Sequence, residues 1–226
     1  MAAAARESVA SPRLAIVEDH ELLAESLFYV LRDEGYQAAV ISGESLEEIG
    51  DSVIEFGPEV VLLDLNLGPD LGSALPLVRR LTGKGTRVVI ITGVEDRMKL
   101  SESIEAGAVG LISKGASFES LLMAIREAVE SDAAMSELER QQWLAELRRF
   151  RAEDERRRKP FERLTPREQE VLARLCQGHS ASEIADESYV ALSTVRSQIR
   201  AVLMKLGVGS QLEAVAAAHR SGWLSP

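Results

Sequence analysis

Cysteine is nearly missing from this chain of 226 residues and histidine is scarce: Cys176 stands alone, and His20, His179 and His219 are scattered. A lone cysteine closes no internal disulfide and, without neighbours at metal-ligand spacing, reads as a small core residue. Zinc centres and histidine-based catalytic triads therefore have little to stand on. Long apolar runs are missing too. No stretch approaches the roughly 20 residues that a spanning helix needs, and the opening MAAAARESVASP lacks the apolar core of a secretory signal. The expectation is a cytoplasmic protein with no membrane partner. Acidic residues are missing locally: none occurs from Ser188 to Leu212.

What is present is an ordinary globular composition, 46% hydrophobic and 27% charged, in a length that suits two small domains. The charge is unevenly spread. Asp and Glu against Lys and Arg number 22 to 11 over residues 1–130, 7 to 8 over 131–160, and 7 to 7 over 161–226. An acidic front and a neutral back imply two units with different partners. The expected division is a disordered tail over 1–12, a first domain over 13–130, a helical linker over 131–160 and a second domain over 161–226.

Apolar runs RLAIVED (13–19), YQAAVIS (36–42), VVLLDLN (60–66), RVVIITG (87–93) and VGLISK (109–114) alternate with segments of helical period. In ELLAESLFYVLRDEG the stripe is Leu22, Leu23, Leu27, Val30 and Leu31, and Gly35 is the stop. Continuous apolar strands alternating with helices predict an α/β fold, a doubly wound five-stranded parallel sheet. Ligands of such sheets bind beyond the carboxyl ends of the strands. Glu18 and Asp19, Asp64, Thr92 and Lys114 fall at four of those ends.

A carboxylate such as Asp64, set in an apolar run, is costly without a partner. Three carboxylates in one pocket call for a cation of high charge, and magnesium prefers oxygen ligands shared between carboxylates and phosphate. A phosphoryl group would then meet Lys114 as counter-charge, Thr92 as hydrogen-bond donor and Asp64 as nucleophile. A strand-end aspartate alone is more often a cap or turn residue; the coincidence of four strand ends favours the chemistry. A haloacid-type hydrolase wants a second Asp where Asn66 stands, and GKGT (83–86) lacks the spacing of a phosphate-binding loop.

With VEDH, LLDLN, ITG and SK, residues 13–130 resemble the receiver domain of two-component response regulators, a flavodoxin-like fold. The resemblance implies Asp64 as the acceptor of a phosphoryl group from a sensor histidine kinase. It implies Glu18, Asp19, Asp64 and the backbone carbonyl of Asn66 as magnesium ligands, Glu18 through water, with Thr92 and Lys114 reading the phosphoryl group. The chain departs at Leu111, where receivers usually carry a switching Tyr or Phe, and at Gly115, where a proline is usual.

In the back region, LTPREQEVLARLCQG has Thr165 as N-cap, Pro166 at the first helical position, Glu168 three residues past the cap and Gly178 as the stop. Ser180 with Glu183 and Ser210 with Glu213 repeat the pattern. STVRSQIRAVLMKLG carries an apolar stripe, Val195, Ile199, Val202, Leu203 and Leu206, and the basic residues Arg196, Arg200 and Lys205. Four short helices in about 60 residues indicate a small all-α helix-turn-helix domain. Its arginines either face double-stranded DNA or form a solvated surface.

Leu164 to Leu224 resembles the LuxR-type DNA-binding domain of the NarL/FixJ class in LTPREQEVL, EIA, STVRSQI and KLGV. That implies a recognition helix begun by Thr194 to Arg200, with Thr194, Val195, Arg196, Ser197, Gln198, Arg200 and Lys205 toward DNA. It also implies dimerisation through Ser210 to Ser221. The expected protein is a phosphorylation-controlled regulator of transcription, not an enzyme, forming a homodimer on activation. A DNA-binding regulator whose receiver ignores phosphate is the alternative, and an adaptor whose last helices bind protein is another. Residues 131–159 favour helix, with Glu153 and Arg157, Asp154 and Arg158, Glu155 and Lys159 as pairs, on the order of 40 Å if continuous. Leu138, Trp143, Leu144, Leu147 and Phe150 form a seam suited to docking on a domain.

Overall fold

The computed structural model describes residues 11–93, 96–131 and 134–223; most of the expected tail 1–12 lies outside them. The chain divides between Leu147 and Arg148 into two compact units. The first runs β1 (Arg13–Val17), α1 (Glu21–Asp33), β2 (Gln37–Val40), α2 (Leu46–Phe56), β3 (Val60–Leu63), α3 (Gly68–Leu71), α4 (Leu75–Thr82), β4 (Arg87–Thr92), α5 (Arg97–Glu105), β5 (Gly110–Ser113) and α6 (Phe118–Glu130). A long helix, α7 (Glu137–Glu162), crosses the division, and α8 (Pro166–Cys176), α9 (Ala181–Glu187), α10 (Leu192–Leu206) and α11 (Gln211–Arg220) follow.

The five strands form a parallel sheet in the order β2-β1-β3-β4-β5. Because strand side chains alternate between faces, the buried runs feed two cores. Ala15, Val17, Val61, Leu63, Val88 and Ile90 pack with Ile49, Leu77 and Ile104 on one side. Leu14, Ile16, Val60, Leu62, Val89 and Ile91 pack with Leu27, Leu31 and Ile125 on the other. This is the doubly wound arrangement, and its sequence cause is the unbroken apolar character of β3 and β4. In α1 the stripe is narrower than its leucines imply. Leu22 is 82% exposed, and Ala24 occupies the buried position instead.

Among the described residues the second unit is all helix. Thr165 and Ser180 each close a reciprocal capping box, with Glu168 and Glu183, at the starts of α8 and α9. Ser210 also caps α11, but Glu213 reaches one residue further back, to the Gly209 N–H at 2.9 Å. Two apolar clusters hold the unit: Val171, Leu175, Ile184, Val195 and Ile199 seat α10 on α8 and α9, while Phe161, Leu164, Leu172, Val202 and Ala218 join α11. Between α9 and α10 lies a tight turn in which Tyr189 takes φ +53°, the one non-glycine with positive φ among the described residues.

Helix α7 extends about 39 Å at 1.5 Å per residue. Asp154 pairs with Arg158 at 3.0 Å, whereas Glu153 is held by Arg149 at 3.4 Å. Of the expected seam, Leu147 is buried and Trp143 and Leu144 pack on the first core, but Leu138 is exposed. Among the described residues no single helix is long and apolar enough to cross a membrane.

Candidate functional site

Parallel pairing assembles the acidic cluster. Val17 stands opposite Leu63, and the Asp64 N–H donates to the Val17 carbonyl at 2.9 Å, so the next residues of β1 and β3 emerge side by side. This is where the strand order reverses between β1 and β3, the switch point of a doubly wound sheet. Two strands away, Thr92 pairs with Ser113, and the Lys114 N–H donates to the Thr92 carbonyl at 3.0 Å. Register alone thus brings Lys114 to the same rim.

Ligand atoms of Glu18, Asp19, His20 and Asp64 lie within 4.8 Å of one another. Asp64 and Glu18 are buried, while Asp19 and His20 are exposed. The Lys114 ammonium donates to Asp64 Oδ2 and to Glu18 Oε1, each at 2.7 Å. Burial pulls the Lys114 pKa down, but these two hydrogen bonds and the charges behind them leave it above the usual lysine value. The Asn66 backbone N–H reaches Asp64 Oδ1 at 3.2 Å, and the Asn66 side chain is exposed. Gly68, at φ +80°, completes the rim: a Cβ there would sit 3.2 Å from Asp19 Oδ2.

Sequence reasoning overlooked His20, which it took as one of three scattered histidines. Its Nδ1 lies 2.8 Å from Glu18 Oε1 and 2.9 Å from Asp19 Oδ1, and its pKa is raised, chiefly by the hydrogen bond to Glu18. Adjacency to the Glu18–Asp19 pair was the available signal. The remaining ligands are oxygens, a set that suits a hard divalent cation such as magnesium.

Thr92 is buried at the end of β4. It lines a cavity of about 370 Å³ together with Leu111 and Trp143. Leu111, on the edge strand β5, is half-buried, so this wall of the cavity is aliphatic.

On α10 the helical phase separates the residues expected at DNA. Thr194, Arg196, Ser197 and Arg200 are exposed, and Gln198 is half-buried. Val195 is fully buried among Val171, Leu175, Ile184 and Ile199, which corrects its expected place toward DNA: it anchors the helix. Lys205 is half-buried. Its ammonium donates to Glu168 Oε2 at 2.6 Å, which ties the end of α10 to the start of α8.

Comparison with known proteins covers both units. The response regulator receiver domain family matches residues 14–126, and the luxR family of bacterial regulatory proteins matches residues 162–218. The nitrate/nitrite response regulator protein NarP of Escherichia coli (strain K12) is 33% identical over 200 residues, 88% of this chain and 90% of NarP. The transcriptional regulatory protein DegU of Brevibacillus brevis is 26% identical over 225 residues, 94% of each chain. Among solved structures, RcsB from Salmonella enterica serovar Typhimurium bound to promoter rprA matches with a TM-score of 0.48 and 19% identity, covering 92% of this chain and 98% of that one.

Proposed function

Because the chain belongs to the two-component response regulators that join a receiver domain to a LuxR-type DNA-binding domain, we propose that it is a transcriptional regulator switched by phosphorylation of Asp64. The observation that carries this reading is the Lys114 ammonium held 2.7 Å from both Asp64 and Glu18 at the reversal point of the sheet. An apolar strand has delivered a nucleophilic carboxylate to a rim that already holds a cation.

The donor is a phosphohistidine on a sensor histidine kinase. An Asp64 carboxylate oxygen attacks phosphorus, the O–P bond forms as the P–N bond breaks, and the imidazole nitrogen leaves with the electron pair and takes up a proton. Glu18, Asp19, Asp64 and the Asn66 carbonyl would hold Mg²⁺, whose charge when bound offsets that of the phosphoryl oxygens. Lys114 supplies a point charge to one phosphoryl oxygen, and the Thr92 hydroxyl donates a hydrogen bond to another. His20 keeps Glu18 and Asp19 oriented from the solvent side.

Phosphorylation then favours a homodimer that sets two copies of α10 in successive major grooves of double-stranded DNA, with half-sites about one helical turn apart or a multiple of it. Thr194, Arg196, Ser197, Gln198 and Arg200 form its DNA face, and α11 lies at the two-fold axis. The absence of acidic residues from Ser188 to Leu212 supports this face for a polyanion.

The test is incubation with acetyl phosphate and magnesium, comparing the wild type with Asp64→Asn by intact mass and by size-exclusion chromatography. Wild-type protein gains one phosphoryl group and shifts toward a dimer, and the variant does neither. Equal labelling of both would remove Asp64 as nucleophile; labelling without a change in size would leave the receiver uncoupled from assembly.

A further inference from the structure

The first half of α7 is fastened to the receiver at the same side of the sheet that carries Thr92. Trp143 and Leu144 pack against the core that includes Ile90, Ile104 and Ala108. The Arg140 guanidinium donates to the Ala108 carbonyl at 3.2 Å. Arg97, at the start of α5, makes a double contact: its Cζ lies 4.5 Å from the Trp143 ring centroid, and its Nε and Nη2 donate to the two oxygens of Glu146 at 2.6 and 2.5 Å. The guanidinium thus stacks on the indole while gripping a carboxylate almost one turn further along α7. Such a planar, bidentate clamp fixes a side chain better than a single point contact does.

Behind this clamp lies the cavity of about 370 Å³, bounded by Thr92, Gly93, Arg97, Leu111, Ser113 and Trp143. Its walls come from four sources: the end of β4, the start of α5, the body of β5 and the linker helix. Thr92 is 5% exposed, so the cavity is the open space beside it. Packed interiors respond to a displaced side chain by discrete repacking, because contacts are lost steeply once a gap opens. A shift of Thr92 toward a group on Asp64 would enlarge this space, and Leu111 and Trp143 are the large apolar side chains on its wall placed to fill it.

We propose that Trp143 is a positioning residue for the phosphoryl site, closing the cavity beside Thr92 so that the seat of the linker helix and the phosphoryl state of Asp64 are energetically coupled. This deepens the reading that Asp64 accepts a phosphoryl group, and it rests on it. The coupling is reciprocal by thermodynamic necessity: a phosphoryl group that alters the packing of Trp143 is itself retained differently when Trp143 is changed. The half-exposed clamp between Arg97 and Glu146 sets how firmly the indole is held.

The protein has two tryptophans, Trp143 and Trp223. The full chain carrying Trp223→Phe therefore reports Trp143 alone. Its emission is followed after addition of acetyl phosphate and magnesium, with phosphoryl incorporation measured by mass on the same samples. The emission is expected to shift in step with incorporation, and to stay constant when Asp64→Asn is added. In the native background, Trp143→Ala is expected to change the half-life of the phosphoryl group several-fold, Trp143→Phe to restore most of it, and Glu146→Gln to give an intermediate value while leaving the fold intact.

Incorporation with constant emission and an unchanged half-life in all three variants would overturn this inference while leaving Asp64 as acceptor. Absence of incorporation in the wild type would overturn both.

Discussion

Lys114 bridges Asp64 and Glu18 through one ammonium, 2.7 Å from an oxygen of each. Both acids are buried, and this ammonium lies between them, with His20 beside Glu18 on the solvent side. Lys114→Met removes the ammonium and leaves two carboxylates facing each other, a loss of about 3 kcal/mol by the usual cost of breaking a buried ion pair. The loss should be largest in metal-free buffer. Thermal melts with EDTA and with millimolar magnesium check this: magnesium should raise the melting temperature of Lys114→Met more than that of the wild type. Equal shifts would mean that lysine and metal do not share the two acids.

Much of this was legible in the sequence, for reasons that differ from element to element. The run Val60–Leu63 is β-branched and leucine-rich, so β3 and the placement of Asp64 just past it follow from local pattern. The boxes of Thr165 with Glu168 and Ser180 with Glu183 span three residues and declare two helix starts outright. Contacts between distant segments were not legible. Nothing in spacing relates Arg97 to Trp143 and Glu146, or Lys205 to Glu168, since those pairs are set by how whole elements pack. Val195 fails for a third reason. It lies within the stretch expected at DNA from the resemblance, although the phase of the apolar stripe with Ile199 and Val202 already marked it as inward-facing, beside exposed Thr194 and Arg196.

That phase makes neighbours on α10 separable by experiment. Arg196→Ala is expected to leave thermal stability unchanged and to weaken DNA binding by about 1–3 kcal/mol, with the salt dependence falling by about one ion if the guanidinium meets phosphate. Val195→Ala should do the reverse at first order, costing about 2 kcal/mol of stability through the cavity it leaves. Lys205→Ala should leave the salt slope near that of the wild type, because its charge is engaged by Glu168. Titrations of a duplex selected by the wild-type protein at several salt concentrations, beside thermal melts, distinguish the three.

Tyr189 holds φ +53° and is 96% exposed. A bulky residue in the left-handed region costs on the order of 1 kcal/mol, and an exposed ring recovers little of it by packing. Tyr189→Gly should therefore raise the stability of the helical unit by up to about 1 kcal/mol, visible as a higher urea midpoint with an unchanged m-value. A lower midpoint would show that the ring makes contacts that offset the strain.

Glu168 gives the second unit a defined acid response. Its Oε2 accepts from the Lys205 ammonium at 2.6 Å and from the Thr165 N–H at 2.7 Å, while the Thr165 hydroxyl caps the helix in return. The hydrogen bond from Lys205 is the main reason its pKa lies below the ordinary glutamate value; burial opposes it. A carboxylate whose folded pKa is depressed binds its proton more readily when unfolded. It therefore contributes stability in full above the unfolded value near 4.3, and the contribution is lost as pH falls through the folded pKa. Urea unfolding between pH 7 and pH 3, read by Trp223 in a Trp143→Phe background, should show the helical unit weakening across that window. Glu168→Gln should be weaker at neutral pH and show a shallower decline below it. Lys205→Met should flatten the same window, because the largest cause of the shift is gone. A decline as steep in Lys205→Met as in the wild type would assign the acid response to other carboxylates of the unit.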